Sequence, residues 1–218
     1  MNEDILKLMG QFKTIVHDGL SLEMKAYAKD NGVPIIEEQG LELLLQLLRI
    51  KNPVDILEIG SAIGYSSLMM ARHLPGVFVT TIERDEATYE KATGFLKGSA
   101  VGGQIALIKG DALEIDLAKL PKEAYDVIFI DAAKAQYQKF FEKYEPILKE
   151  DGIIISDNLL FHGLVLEQDG IASKNLRKLV QKISLYNEWL ASHPHYDTLL
   201  LPIGDGIAIS KKKAGVKI

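Results

Sequence analysis

Apolar and polar positions follow two rhythms along this chain, and the points where one gives way to the other mark out its elements. In EEQGLELLLQLLRI, Leu41, Leu44, Leu45 and Leu48 recur at three- and four-residue steps, which places them on one face of a helix. Pro53 ends that helix. Short runs of β-branched and other apolar residues follow at 54–59, 77–82, 105–109, 125–130 and 152–156, separated by segments that can turn back as helices. DVIFI and GIIIS are the most apolar and read as central strands buried on both faces. Such alternation predicts an α/β fold, a mostly parallel sheet with helices on both faces.

Beyond Ser156 the pattern changes. A loop rich in Gly and His leads to a helix over 173–193, where Leu176, Leu179, Val180, Ile183, Tyr186 and Leu190 repeat at helical steps. Two strands follow at 196–201 and 207–211, joined by PIGDG, a connection short enough only for an antiparallel pair. The expectation is one domain over 1–218: a helical cap at 1–51, then a core at 52–218 built on a seven-stranded sheet with a C-terminal antiparallel hairpin. That hairpin departs from the dinucleotide-binding pattern.

With 218 residues, 47% of them hydrophobic, the chain can bury a substantial core. It has no cysteine, which excludes a disulfide framework and a thiolate metal site, so any metal must be held by oxygen or histidine. MNEDILKLMGQF carries acids where a secretory signal carries bases, and no apolar run approaches the roughly twenty residues that span a bilayer. The protein is therefore expected to be soluble and cytoplasmic. A net charge of -5 argues against indiscriminate nucleic-acid binding, which relies on a basic surface. Local basic groups remain: Lys174, Arg177, Lys178 and Lys182 on the late helix, and the run Lys211 to Lys213, which read as a solvated helix face and a solvated tail.

DILEIGSAIGYSS reads as a strand, a tight glycine turn and a helix start, so a ligand can lie against the main chain at Gly60 and Gly64. Glu83 ends the next strand, where a carboxylate can hold both ribose hydroxyls of a nucleoside. Glycines that merely permit the turn are the plainer alternative. The spacing is G-x-x-x-G, with Ala62 where a dinucleotide fingerprint needs its second glycine, so a pyrophosphate cradle is not expected. A nucleoside cofactor without a pyrophosphate, such as S-adenosylmethionine, fits better. Gly110, Asp111 and Ala112 would then lie near the adenine, with Asp111 accepting from its amine or else capping a helix begun near Ala112.

Asp131 and Asp157 each close a candidate strand, so both fall at the carboxyl edge where open α/β sheets bind ligands. Two carboxylates there call for a cation, and Asn158 adds a neutral oxygen toward a six-coordinate ion such as Mg²⁺. Simple capping or turning of the chain is what each residue would suggest alone.

LEIGSAIGYSS, TIERD, KGDA, FIDAAKAQY, SDNLLFHG and PIGDGIAISKKK together resemble the metal-dependent O-methyltransferases of the catechol and caffeoyl-CoA type, over nearly the whole chain. Within that family the motifs look most like the bacterial tRNA 5-hydroxyuridine methyltransferases. The resemblance implies a Rossmann-like class I methyltransferase fold with extra N-terminal helices. It implies S-adenosylmethionine bound at positions matching Ile36, Glu58, Gly60, Ser66, Glu83, Asp111, Ala112 and Asp131. Asp131, Asp157 and Asn158 would hold Mg²⁺ or another divalent ion such as Mn²⁺, with Lys134 near the reacting hydroxyl. Lys134 reads equally as an exposed lysine at a helix start.

The implied reaction is methyl transfer to an oxygen made more acidic by the metal, with Lys134 stabilising the oxyanion or taking its proton. The expected acceptor is 5-hydroxyuridine at the wobble position of a tRNA anticodon, giving 5-methoxyuridine, with Lys174, Arg177, Lys178 and Lys182 as a basic rim. The alternatives are a small catechol-like phenol, or a noncatalytic protein that binds nucleosides or RNA. Phe161 and His162 could stack on an acceptor ring, although Phe161 and Trp189 read more readily as packing residues. The other histidines, His17, His73, His193 and His195, lack paired helical spacing and suit helix ends or the surface. Helices between Glu3 and Asp30 would cover the mouth of the site or join subunits, and the family implies a homodimer.

Overall fold

The computed structural model describes residues 7–8, 10–12, 14–167 and 170–215. Two N-terminal helices come first. Helix α1 (Gly19–Asn31) starts at a capping box, in which the Asp18 carboxylate accepts from the Ser21 amide and the Ser21 hydroxyl from the Asp18 amide. Helix α2 (Glu38–Lys51) carries the leucine stripe, and Leu41, Leu44, Leu45 and Leu48 are all fully buried. Each such side chain contributes roughly 1.5–3 kcal/mol of apolar burial, so the stripe fastens the helix to the sheet. Of the cap expected over 1–51, residues 1–6, 9 and 13 lie outside the described residues.

The sheet then builds as β1 (Asp55–Ile59), α3 (Tyr65–His73), β2 (Phe78–Glu83), α4 (Glu86–Lys97), β3 (Ile105–Lys109), β4 (Tyr125–Ile130), α5 (Tyr137–Tyr144), β5 (Leu148–Ser156), α6 (Lys174–Ala191), β6 (Tyr196–Leu201) and β7 (Ile207–Lys212). The strands lie in the order β3-β2-β1-β4-β5-β7-β6, with β1 to β5 parallel and β7 antiparallel to both β5 and β6. The expected hairpin is present, and it is its second strand that joins the parallel sheet. Strand β5 also begins earlier than 152, because Leu148 pairs with Tyr125 ahead of a register shift. The polar stretch after Leu148 concealed that start.

Alternating strand residues feed two cores. On one face Ile56, Val79, Val127, Phe129 and Ile155 pack with α1 to α4; on the other Leu57, Ile59, Ile128, Ile130 and Ile154 pack with α5 and α6. Helix α6 is capped by the Ser173 side chain and buries Val180, Ile183, Tyr186 and Leu190. Trp189 packs edge-on against Phe141 at 5.1 Å, a packing residue as its type suggests. The lysine run is not a solvated tail: the ammonium groups of Lys211, Lys212 and Lys213 donate to the backbone oxygens of Asp151, Leu148 and His193. These three bonds tie β7 and the residue after it to neighbouring segments. Among the described residues no helix is long and apolar enough to cross a membrane.

Candidate active site

Strand order reverses between β1 and β4, and a crevice opens at the carboxyl ends of the strands around that point. The ladder runs one residue past the strands there. Asp131 donates its amide to the Ile59 carbonyl and Asp157 its amide to the Ile130 carbonyl, both at 3.0 Å, which sets the two aspartates side by side. Gly60, at φ 95°, passes so close to Asp131 that a Cβ would sit 2.1 Å from its carbonyl oxygen. Only glycine permits that crossing.

The crevice is a cavity of about 300 Å³ whose walls include Ile36, Gly60, Ser66, Glu83, Asp111 and Ala112. Asp131, Lys134 and Asn158 also line it. Glu83 reaches across the glycine turn: one oxygen accepts from the Ala62 amide at 3.0 Å and the other from the Asp85 amide at 2.8 Å. These two bonds fix the carboxylate against the cavity wall. Asp111 accepts from the Leu113 amide at 2.8 Å and sits 3.7 Å from the Arg84 guanidinium. A turn follows it, with the Glu114 amide donating to the Asp111 carbonyl at 2.8 Å, in place of the helix expected near Ala112.

Glu58 lies behind the wall and does not line the cavity. It is fully buried, and its two oxygens accept from the hydroxyls of Ser66 and Thr81. Burial, with a smaller push from the Asp131 charge, raises its carboxyl to about 7 against the donations from Ser66 and Thr81. It therefore orients Ser66 from behind. Thr81 went unnoticed in the sequence because a threonine within a strand carries no chemical signal.

Asp131, Asp157 and Asn158 come together as their strand ends require. The Asn158 side-chain nitrogen donates to Asp131 at 2.8 Å, and its backbone amide donates to the Asp157 carboxylate at 2.7 Å. Asp157 is buried, while Asp131 and Asn158 open onto the cavity. Burial pushes both carboxyls above the ordinary aspartate range, and Asp157 is raised further by the neighbouring Asp131 charge. The phenol of Tyr137, also buried beside them, is held far above its usual range by burial and then by the two carboxylates. Lys134 is the cationic side chain that offsets this charge, and its ammonium lies 5.5 Å from the Phe161 ring.

Among the described residues no group of three or more His, Asp or Glu side chains gathers as a metal site. This trio supplies two carboxylates and an amide, hard oxygen donors in negative surroundings that a divalent cation would neutralise. The donor set therefore fits such an ion. After Asp157 the chain forms a strap, 158–162, in which Asn158, Phe161 and His162 all take positive φ, at 64°, 45° and 55°. Phe161 and His162 stack at 5.8 Å, with the imidazole largely exposed. Three other histidines hold local contacts: His17 pairs with Glu38 at 2.9 Å, His73 accepts from the Val16 amide at 3.2 Å, and His193 accepts from the His195 amide at 3.1 Å.

Comparison with known proteins gives this arrangement its setting. Residues 13–213 match the family model described as O-methyltransferase. A caffeoyl-CoA O-methyltransferase of Populus kitakamiensis is 32% identical over 193 residues, covering 86% of this chain and 82% of its own. A Staphylococcus aureus structure, provisionally named a caffeoyl-CoA O-methyltransferase, is 41% identical with a TM-score of 0.87, over 97% of this chain and 98% of its own. A Bacillus cereus O-methyltransferase in complex with SAH is 25% identical with a TM-score of 0.77, over 92% and 93%.

These relatives overturn the expectation of a tRNA acceptor and an anticodon partner, since they carry the names of enzymes for a small phenolic thioester. The late helix agrees with that correction. Arg177, the one guanidinium of the expected basic rim, donates through two nitrogens to the Ile171 carbonyl, at 2.6 and 3.2 Å, and so serves the loop before α6.

Proposed function

Since the chain belongs to the O-methyltransferase family and uses S-adenosylmethionine as its methyl donor, we propose that its acceptor is a small catechol-like phenol activated beside a divalent ion. The observation that carries this reading is the convergence of Asp131, Asp157 and Asn158, with Asp131, Asn158 and Lys134 lining the cavity and Asp157 buried beside them. Glu83 would hold the ribose hydroxyls, Asp111 the adenine amine, and Gly60 with Ser66 the amino-acid tail. Asp131, Asp157 and Asn158 would hold Mg²⁺ or Mn²⁺, which when bound supplies positive charge that makes a coordinated hydroxyl more acidic.

The other parts of the site act through their own side chains. Lys134 stabilises the phenolate or accepts its proton, and Ile36 and Ala112 give the cavity buried apolar wall. Phe161 and His162 offer a flat edge against which an aromatic ring can lie. A phenol bearing adjacent hydroxyls can offer its oxygens to this set of hard donors and one lysine.

The test is methyl transfer from S-adenosylmethionine to caffeoyl-CoA, caffeic acid and catechol, with Mg²⁺ or with EDTA, read by mass spectrometry. A monomethyl ether that forms with Mg²⁺ and vanishes with EDTA supports the reading. Tight SAH binding with no methyl ether from any adjacent diol counts against it.

A further inference from the structure

The strap 158–162 holds three residues with side chains at positive φ, a backbone state that a Cβ disfavours and that lasts only where the surroundings impose it. The turn between β6 and β7 bonds the strap along most of its length. Leu159 donates its amide to the Gly206 carbonyl at 3.0 Å, Leu160 to the Asp205 carbonyl at 2.8 Å, and His162 to the Asp205 carboxylate. Asn187 of α6 adds a bond to the Leu159 carbonyl at 2.9 Å. Gly206, at φ 89°, touches the strap so closely that a Cβ there would lie 2.5 Å from Leu160 Cγ.

Asp205 is the unusual member of this clasp. Its carboxylate is buried; one oxygen receives the His162 amide and the other is buried without a hydrogen-bond partner among the described residues. A polar oxygen buried without a partner is costly, and a turn alone does not need it. What the aspartate does hold is the segment running from Asn158 to the Phe161 and His162 edge.

We propose that Asp205 is a positioning residue: its buried carboxylate latches the strained strap and thereby sets where Asn158 and Phe161 stand on the acceptor side of the site. The importance of the strap for the acceptor rests on the proposed phenol methyltransferase activity, whereas the latch itself does not. The latch bonds the strap directly, and reaches the cofactor side only through the Asn158–Asp131 bond. The cofactor wall, built on Gly60, Glu83 and Asp111, has no bond to the strap among those described.

The experiment compares wild type with D205A and D205N in hydrogen exchange, SAH binding and catechol kinetics. In D205A the His162 amide should exchange at least tenfold faster, the catechol KM should rise at least fivefold, and the SAH Kd should stay within twofold. D205N keeps an oxygen for the His162 amide and should restore exchange and KM to within twofold of wild type. D205S, which loses the reach but tolerates burial, carries the D205A expectations if that variant does not fold. Unchanged His162 exchange in D205A or D205S would overturn the latch, as would a loss of SAH affinity parallel to the loss of catechol affinity. If wild type methylates no phenol, the activity reading fails by itself, and the exchange data still decide the latch.

Discussion

Replacing Gly60 by alanine tests the geometry of the whole crevice. The added Cβ would sit 2.1 Å from the Asp131 carbonyl oxygen and 2.8 Å from its carbon, at a φ of 95°. Left-handed backbone costs a residue with a Cβ roughly 1–2 kcal/mol, and overpacking of a tight site adds roughly 1–3 kcal/mol. G60A should therefore lose about 2–5 kcal/mol of stability, seen as a fall in Tm of roughly 5–15 °C for a chain of this size. Relief requires the Asp131 backbone to retreat by roughly 1 Å, a displacement that costs on the order of a hundredfold in rate when it moves reacting groups. Differential scanning calorimetry gives the first quantity and single-turnover methyl transfer the second. Wild-type Tm and turnover in G60A would refute the idea that this crossing fixes Asp131.

Three further outcomes follow from the same contacts. D157A should lower turnover by at least about a thousandfold while Tm without added metal holds or rises, because a buried carboxyl beside Asp131 is removed; a fall in Tm with retained turnover would contradict this. Glu58 is raised by burial from 4.5 to about 7, so it keeps its proton in the folded protein where the unfolded chain has lost it. Its contribution favours the fold fully below pH about 4.5 and is lost as pH rises to about 7, a span worth roughly 3 kcal/mol. E58Q should flatten the decline of Tm between pH 5 and 8, each pH held in metal-free buffer, and an unchanged slope would dismiss Glu58 as its source. K134M should reduce kcat by about a hundredfold with SAH affinity intact, measured by calorimetry beside the kinetic assay.

Much of the fold could be read from local pattern because each strand and helix signals itself through its own spacing. The leucines of α2 and the apolar runs of β1 and β4 are of this kind, as is the α6 stripe ending at Leu190. Pairing is not local, which is why the placement of β7 between β5 and β6 was not apparent from a short PIGDG turn. The aspartates closing β4 and β5 were legible since adjacent parallel strands bring their ends together, as the pairing of Ile130 with Ser156 does here. Asp205 was not, because an Asp-Gly pair already satisfies what a turn demands and leaves no residue of chemistry to explain. The acceptor was misjudged for a similar reason: Arg177 and its lysine neighbours look alike in sequence whether they meet a phosphate or a carbonyl of their own chain.

The position of β7 also bears on the order of events at the ribosome. The strand that completes the sheet interior is specified late, after β6, and its turn brings Asp205 to the strap. A nascent chain halted before Ile207 would expose β5 as a bare edge and leave the strap unlatched. Such a fragment, made by introducing a stop after Pro202, should retain little solubility and no methyl transfer. One strand thus both closes the sheet interior and delivers the clasp for the acceptor side, so losing it removes the two together.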